Sequence, residues 1–189
     1  MKFIVFEESS ASLPKFVDFW EARYSYRLEG LYEKHIKDPF SCTAVRKLFM
    51  WKNGTPLSPL KTESVEANYV LRIDDARNLP RDTTPEQFLE TFPKGGAIWR
   101  IFWLHCWNQD FPIYDQHVHR AMKCIQNENA EEIGQYSDNR KIHLYLTQYI
   151  PFYRNFCEID GRKVDRALWA FGKFMKAWKH PDAIETVAE

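Results

Sequence analysis

The segment from Phe92 to Ala121 constrains the fold of this chain more than any other part of the sequence. It begins with Phe-Pro-Lys-Gly-Gly, continues through an aromatic stretch at helical spacing and ends with Tyr-Asp-Gln-His-Val-His-Arg-Ala. A proline and two glycines before an apolar run predict a turn that opens a helix, whose N-terminal N–H groups can hold an anion. Asp115 stands at the start of the next predicted helix. The segment therefore predicts a phosphate-binding turn and a carboxylate on successive helices.

Most of the remaining chain is also patterned for helices. Apolar residues at helical spacing predict one long helix from Pro14 to about Lys37, which Asp38-Pro39 interrupts. The other predicted helices cover Ser41 to Lys52, Thr62 to Asn78, a short stretch that starts at Thr83 or Thr84 before Pro85, Gln116 to Gln126, a stretch from Ala130, Arg140 to about Phe156, and Val164 to Lys179. We therefore expect an all-α fold, with a short strand at Phe3 to Phe6 as the main competing interpretation.

The composition indicates a single helical domain over residues 1–189. With 44% hydrophobic and 16% aromatic residues the chain can bury a sizeable core, and no linker or repeat divides it. The formal net charge is zero, which argues against indiscriminate binding to nucleic acid. Basic residues nevertheless outnumber acidic ones from Arg140 to Lys179, whereas the stretch from Glu63 to Glu90 is rich in acids. The C-terminal region is therefore either a basic face or ordinary solvated charge.

The cysteines and the N-terminal residues bear on the compartment. Cys42, Cys106, Cys124 and Cys157 are widely separated and form no Cys-x-x-Cys pair, so we interpret them as buried thiols of a reducing compartment. The N-terminal apolar run is too short for a signal peptide, and no stretch is long and apolar enough to span a bilayer. We expect a cytoplasmic protein without a membrane partner.

The residues around Asp115 resemble the catalytic segment of the helix-hairpin-helix DNA glycosylases. That segment is Val-Asp-x-His-x-x-Arg in the family, and here Asp115, His117 and Arg120 stand at the family spacing after Tyr114. The resemblance implies double-stranded DNA as the partner and cleavage of an N-glycosidic bond as the reaction. It also implies a two-lobed helical fold in which the hairpin and the aspartate, both within residues 85–126, meet at the cleft between the lobes.

The turn matches the family's Leu-Pro-Gly-Val-Gly hairpin less closely. Phe92, Pro93 and Gly96 correspond to the apolar residue, the proline and the second glycine, whereas Lys94 and Gly95 replace the first glycine and a small aliphatic residue. The resemblance thus implies a degenerate helix-hairpin-helix. Its turn, Lys94 to Gly96, is expected to hold a phosphate of the DNA backbone without reading sequence.

Asp115 is the predicted catalytic carboxylate. Cleaving an N-glycosidic bond builds positive charge on the sugar, which a nearby carboxylate stabilises while it orients or deprotonates water. The same residue is also a good N-cap for a helix that begins at Gln116, and an Asp there would look the same in the sequence. The two roles are compatible, because a capping geometry can aim a carboxylate into a cleft.

The other motif residues have expected supporting roles. The resemblance implies that His117 and Arg120 contact DNA. The alternative is that His117 is a half-buried histidine with satisfied hydrogen bonds and that Arg120 is a surface arginine. In family members that also cleave the backbone a lysine attacks the sugar, and Ile98 occupies that position here. We therefore expect base excision without strand cleavage, with Lys94 as the one lysine near enough to act as an alternative nucleophile once desolvated.

No cofactor, metal or iron–sulfur cluster is expected, and the protein is expected to be a monomer. The i,i+2 spacing of His117 and His119 points the two rings to different sides of a helix. Some family members hold an iron–sulfur cluster with four C-terminal cysteines, and the separated cysteines of this chain do not provide that ligand set.

An extruded base would need aromatic partners, and the sequence offers several. We consider Trp51, Trp99 and Tyr114 as candidates for a base pocket, with Asn53 in a predicted loop from Trp51 to Gly54 as a residue that fills the space of a flipped base. Most aromatic residues at helical spacing are core residues, and this alternative stays open for all three.

The sequence therefore favours a monofunctional glycosylase for a damaged or modified base. Short, diverged members of the superfamily are associated with modified bases of phage DNA, which they remove as a defence or help to elaborate, so a phage-modified pyrimidine is one candidate. A second hypothesis is a non-catalytic helical module that binds DNA or protein. A nucleotide-dependent transferase is the weakest, because the chain has no nucleotide-binding fingerprint.

Overall fold

The computed structural model describes residues 12–126, 128 and 132–179, and within these ranges the chain is helical and has no strand. The prediction of an all-α fold is confirmed. The strand expected at Phe3 to Phe6 lies outside the described residues. The α-helices are α1 (Leu13–Glu21), α2 (Glu29–His35), α3 (Cys42–Asn53), α4 (Pro59–Asn68), α5 (Ile73–Arg77), α6 (Pro85–Thr91), α7 (Ala97–Trp107), α8 (Gln116–Ile125), α9 (Asp138–Leu144), α10 (Ile150–Tyr153) and α11 (Gly161–Lys179).

Shorter helical segments connect some of these helices. The single turns Val70–Arg72, Ile133–Gln135 and Arg154–Phe156 are 3₁₀-helices, and Tyr145–Tyr149 is a π-helix that joins α9 to α10. The region predicted as one helix from Arg140 to Phe156 is therefore helical throughout, but it changes from α-helix to π-helix, back to α-helix and then to 3₁₀-helix. The helix predicted from Ala130 starts outside the described residues, and only a 3₁₀ turn follows there.

Two predicted helices are broken in the structure. The long helix from Pro14 to Lys37 is wrong, because α1 ends at Glu21 and α2 begins at Glu29. The helix from Thr62 to Asn78 is also wrong, because Tyr69 leaves helical geometry with φ −130° and ψ −50° after α4. In both places apolar residues keep their helical spacing although the helix itself ends, so the spacing alone does not show where the helix stops.

The chain divides into two compact units. The first contains the described residues up to Ser25, Tyr114–Ser137 and the described residues from Thr147 onward. The second contains Tyr26–Ile113 and Asp138–Leu146. The expectation of a single domain over 1–189 stays a prediction. The predicted hairpin and aspartate region, 85–126, is shared between the units, with the turn in the second and Asp115 in the first.

The core of the first unit lies where α11 packs against α8 and α1. Phe171 of α11 contacts Phe16 and Trp20 of α1, with ring centroids 5.3 and 5.1 Å apart. Gly172 allows the contact with α8, because a Cβ there would lie 2.6 Å from the carbonyl carbon of His117 and closer still to its oxygen. The helix predicted at Val164 to Lys179 is confirmed, with its start at Gly161.

In the second unit, α6 and α7 form a helix–turn–helix whose ends are well capped. Thr84 and Gln87 make a reciprocal capping box at the start of α6, as Thr84-Pro85 predicts. At its carboxyl end, the guanidinium of Arg100 donates to the carbonyl oxygens of Leu89 and Phe92, the latter at 2.8 Å. Arg100 on α7 therefore ties its own helix to the last turn of α6.

The turn between these helices depends on Gly95. Its φ is +90°, and a Cβ there would lie 3.1 Å from Cζ of Tyr69 and closer still to the Tyr69 hydroxyl. The Tyr69 ring is fully buried and stacks on Phe49, with centroids 4.3 Å apart. Its hydroxyl has no hydrogen-bond partner in the described part of the chain, and burial raises the pKa of the phenol far above its usual value.

We expect Gly95→Ala to destabilise the protein by about 3 kcal/mol, through left-handed backbone strain and the clash with Tyr69. Tyr69→Phe alone should stabilise it by about 1 kcal/mol, because it removes a buried, unpaired hydroxyl. In the Tyr69→Phe background the cost of Gly95→Ala should fall by about 1 to 2 kcal/mol. Urea unfolding of the four proteins measures this coupling. Gly30→Ala in α2, where a Cβ meets nothing within 4 Å, is the matched control.

The structure bears on two predictions about the cellular compartment, one on the cysteines and one on membrane-spanning segments. Cys42 and Cys157 are exposed, so the expectation that all four cysteines are buried is wrong, whereas Cys106 is buried. These two thiols lie at the start of α3 and just after the 3₁₀ turn Arg154–Phe156. No described helix is both long and apolar enough to cross a bilayer.

Candidate functional site

Asp115 is the N-cap of α8. Its Oδ1 accepts hydrogen bonds from the backbone N–H groups of His117 and Val118, at 2.8 and 3.2 Å, while its own backbone is extended. These two bonds satisfy donors that a helix start otherwise leaves unpaired. The side chain is half-buried. The capping role is therefore present, and it holds the carboxylate in one orientation at the surface of the first unit.

Tyr114 and His119 support the backbone on either side of Asp115. Both side chains are buried, and the Tyr114 hydroxyl lies 2.9 Å from Nδ1 of His119. Burial, helped by the nearby Asp115 and Tyr136, raises the pKa of the Tyr114 phenol well above its usual range, so the phenol stays protonated. The tautomer of His119 decides which of the two groups donates in their hydrogen bond. The Tyr114 ring packs on Tyr149 with centroids 5.0 Å apart. The ring is fully buried by its neighbours, and the expected role of Tyr114 in a base pocket stays a prediction.

Arg120 is also buried, and its expected contact with DNA stays a prediction. Its Nη1 donates to the carbonyl oxygen of Gly172 at 2.8 Å, and its Nε and Nη2 both reach Oε1 of Glu132. Only 3% of the side chain is exposed. With its donors engaged in this way, Arg120 ties α8 to α11 and to the segment before the 3₁₀ turn Ile133–Gln135.

The charge of Glu132 responds to this arrangement. Burial favours the neutral acid, but the hydrogen bond and charge of Arg120, helped by Lys176 and His117, hold the pKa of Glu132 below its usual value. Glu132 is therefore ionised near neutral pH and pairs with the buried guanidinium. A buried cation without such a partner would be costly, so Glu132 is part of what keeps Arg120 in place.

His117, like Asp115, is a motif residue that stays near the surface. Its side chain is half-buried and its ring lies edge-on to Trp169 of α11, with centroids 5.1 Å apart. Nη1 of Arg120 lies 3.4 Å from Nδ1, and a guanidinium can only donate, so this contact favours the proton of the neutral imidazole on Nε2. His119 lies in different surroundings, against Tyr114 and Tyr136.

The predicted phosphate turn lies in the second unit. Lys94 and Gly96 are exposed, and Gly96 is the N-cap of α7. No side chain caps this helix, and the N–H groups of Ala97 and Ile98 have no acceptor within the described residues. Lys94 is in solvent, so the desolvation that would activate its amine is missing here.

The predicted loop around Trp51 is a helix. Trp51 and Asn53 lie in the last turn of α3, which Gly54 ends in the left-handed conformation with φ +81°. Trp51 is 6% exposed, packs on Tyr32 at 4.7 Å and donates from Nε1 to Glu29. It is a core residue, and its expected role in a base pocket stays a prediction.

The remaining candidates have surface or mixed positions. Asn53 accepts from Nζ of Lys61 at 2.6 Å and donates to the carbonyl oxygen of Thr55, so its amide serves the end of α3 rather than a cavity. Trp99 is half-buried and packs edge-on against Phe49 at 5.4 Å. For Trp99 the role in base binding stays a prediction.

Sequence analysis missed Trp169 and Tyr24, which lie beside the motif. Their rings meet edge to face with centroids 5.3 Å apart, and Trp169 also contacts His117. The available signal was the spacing of Arg162, Arg166, Trp169 and Lys173, which places a ring among cations on one face of a helix.

Within the described residues no group of three or more His, Cys, Asp and Glu side chains is arranged to hold a metal ion. No protein-family model, no curated protein and no solved structure matches this chain significantly.

Proposed function

We propose that this chain is a DNA glycosylase of the helix-hairpin-helix superfamily that hydrolyses the N-glycosidic bond of a damaged or modified base. The observation that carries the proposal is Asp115 itself, a carboxylate fixed at the start of α8 by two backbone N–H groups. His117, two residues later, contacts the half-buried Trp169. A fixed, partly accessible carboxylate next to an imidazole and an indole suits a reaction on a sugar and a base.

Hydrolysis of the N-glycosidic bond needs few protein groups besides this carboxylate. As the base leaves, positive charge develops on the deoxyribose, and a carboxylate held in one orientation stabilises it without reorganisation. The same group can orient or deprotonate the attacking water. Asp115 is held by its cap bonds through Oδ1, so its position is set before substrate arrives.

The α6–α7 turn supports the DNA part of the proposal. Its exposed glycine N-cap and the unpaired N–H groups of Ala97 and Ile98 form a site for a phosphate at the positive end of an α-helix. Such a contact positions the DNA backbone but does not select a base.

A screen of the wild-type protein tests the proposal. The protein is incubated with DNAs that carry oxidised, alkylated, deaminated or phage-type modified bases, and free bases are detected by mass spectrometry. Heating with alkali then reveals abasic sites as strand breaks. Release of at least one base supports the proposal, and the identity of that base defines the substrate.

We expect base release without strand cleavage. Ile98 has no amine, and Lys94 is exposed rather than desolvated. Borohydride should therefore trap no covalent protein–DNA complex, and strands should break only after alkali. Lys94→Gln should retain base release within about threefold of the parent, since it loses at most one phosphate contact. Lys37→Gln, a change at another exposed lysine of the same unit, is the control; a trapped complex that Lys94→Gln abolishes would contradict the prediction.

A non-catalytic DNA-binding module is the second candidate. It is favoured by the buried positions of Arg120 and Tyr114, which serve packing rather than substrate contact. In that case DNA would bind with no free base released from any substrate in the panel, and Asp115→Asn would bind as tightly as the parent.

A further inference from the structure

Helix α11 carries a stripe of basic and aromatic side chains along its outer face. The stripe consists of Arg162, Arg166, Trp169 and Lys173. At 3.6 residues per turn these positions fall within about 60° of the helix circumference. The opposite face of α11 is buried, with Val164, Leu168 and Phe171 in the core, so the stripe lies on the side of this helix that faces away from that core.

Rings and cations alternate within the stripe. Nζ of Lys173 lies 5.0 Å from the centre of the Trp169 ring, and the Tyr24 ring meets Trp169 edge to face. The guanidinium groups of Arg162 and Arg166 lie 5.7 and 5.6 Å from the centre of the Tyr24 ring. The two rings are thus held in place by their neighbours, with positive charge at both ends.

The stripe is strongly positive although the whole chain has zero net charge. Helix α11 contains six basic residues and a single acidic one, Asp165, which is buried. Among the described residues, Glu21 pairs with the stripe: its Oε1 lies 3.4 Å from Nη1 of Arg166 and offsets one positive charge of the stripe. Lys173 is exposed, and Trp169 and the two arginines are half-buried, with Nε of Arg162 fully buried.

We infer that this stripe binds a single strand of DNA, with phosphates on the cations and an unpaired base that takes the place of the Lys173 ammonium on the face of Trp169. This rests on the proposed function in taking DNA as the ligand. Cationic grooves with aromatic side chains bind single strands in this way, because every base has a face that stacks. The stripe is about 16 Å long from Arg162 to Lys173, which matches about five stacked nucleotides.

An anionic membrane is a poorer fit for the same charges. Helices that lie on membranes insert an apolar face into the bilayer. The apolar face of α11 is buried in the core of its unit and is not available for this contact. A lone indole among cations matches a base between phosphates better. The stripe also lies next to His117, so a strand held there would pass the residues around Asp115.

Binding of a labelled, undamaged single-stranded oligodeoxynucleotide tests the inference without any need for catalysis. Fluorescence anisotropy should show that Trp169→Leu weakens binding roughly tenfold or more, while Trp169→Phe keeps most of the affinity. For Lys173→Gln, log affinity should fall less steeply with log salt concentration, with the magnitude of the slope smaller by about 0.7. Lys163→Gln changes an exposed lysine of α11 that lies off the stripe and should have no effect on affinity.

The controls separate this inference from the enzyme proposal. Circular dichroism shows whether Trp169→Leu is folded, and Lys173→Gln, at an exposed position, keeps the test valid if it is not. The inference is overturned if both variants bind the oligonucleotide as Lys163→Gln does, or if anionic lipid vesicles bind through the stripe and the oligonucleotide does not. Loss of binding in these variants, in a protein that releases no base, would support the stripe and refute the glycosylase.

Discussion

Gly172→Ala is expected to destabilise the protein by about 4 kcal/mol or more, or to prevent it from folding. The new Cβ would lie 2.6 Å from the carbonyl carbon of His117 and 3.1 Å from its Cα, and closest of all to its carbonyl oxygen. These are backbone atoms, so no side-chain rotation relieves the contact. To make room, α11 must move away from α8, which also breaks the bond from Arg120 to the Gly172 carbonyl.

The measurement is urea unfolding followed by circular dichroism, or the soluble yield where the variant does not fold. Gly134→Ala is the control in the same unit, because a Cβ at Gly134 meets nothing within 4 Å, and it should change the free energy of unfolding by less than about 1 kcal/mol. A Gly172→Ala protein as stable as this control would mean that α8 and α11 are farther apart than described.

Asp115→Asn is expected to lower the rate of base release by about a thousandfold or more while leaving the fold intact. Asparagine caps a helix about as well as aspartate, so the bonds to His117 and Val118 are preserved. The negative charge that stabilises the developing cation is lost, and so is the base for water. Single-turnover release of free base gives the rate, and thermal unfolding should show a midpoint within a few degrees of the parent.

Two further substitutions separate capping from catalysis. Asp115→Ser keeps a capping oxygen and should be as inactive as Asp115→Asn. Asp115→Ala removes the cap as well and should cost about 1 kcal/mol of stability. Asp110→Asn, at an exposed carboxylate shortly before the motif, should release base at the parental rate.

Local signals in the sequence were sufficient for the helix starts near the site. Thr84-Pro85 with Gln87 predicts the start of α6, and Asp115 predicts the start of α8, because a cap is a contact between residues two or three positions apart. The turn at Gly95 and Gly96 was predicted for the same reason. Its left-handed residue is Gly95, at the position where the family has a small aliphatic residue.

The features that were not predicted depend on contacts between residues far apart in the chain, which no local sequence pattern indicates. Arg120 pairs with Glu132 and reaches Gly172, which is 52 positions away, and neither partner is marked by a pattern around the motif. Trp51 was expected in a loop because Asn53-Gly54 follows, yet the glycine is the C-cap and the tryptophan lies inside the helix. The break between α1 and α2 is hidden because apolar residues recur within every four positions from Phe16 to Tyr32, although Trp20 and Tyr32 belong to different units.

Detection of a free base by mass spectrometry, with the parent, Asp115→Asn and Asp110→Asn proteins compared on the same modified DNA, tests the central proposal most directly. We predict that the parent and Asp110→Asn liberate the same base at similar rates and leave alkali-labile sites, whereas folded Asp115→Asn liberates almost none. Equal release by Asp115→Asn, or no release by the parent from any modified DNA that it binds, would contradict the proposal.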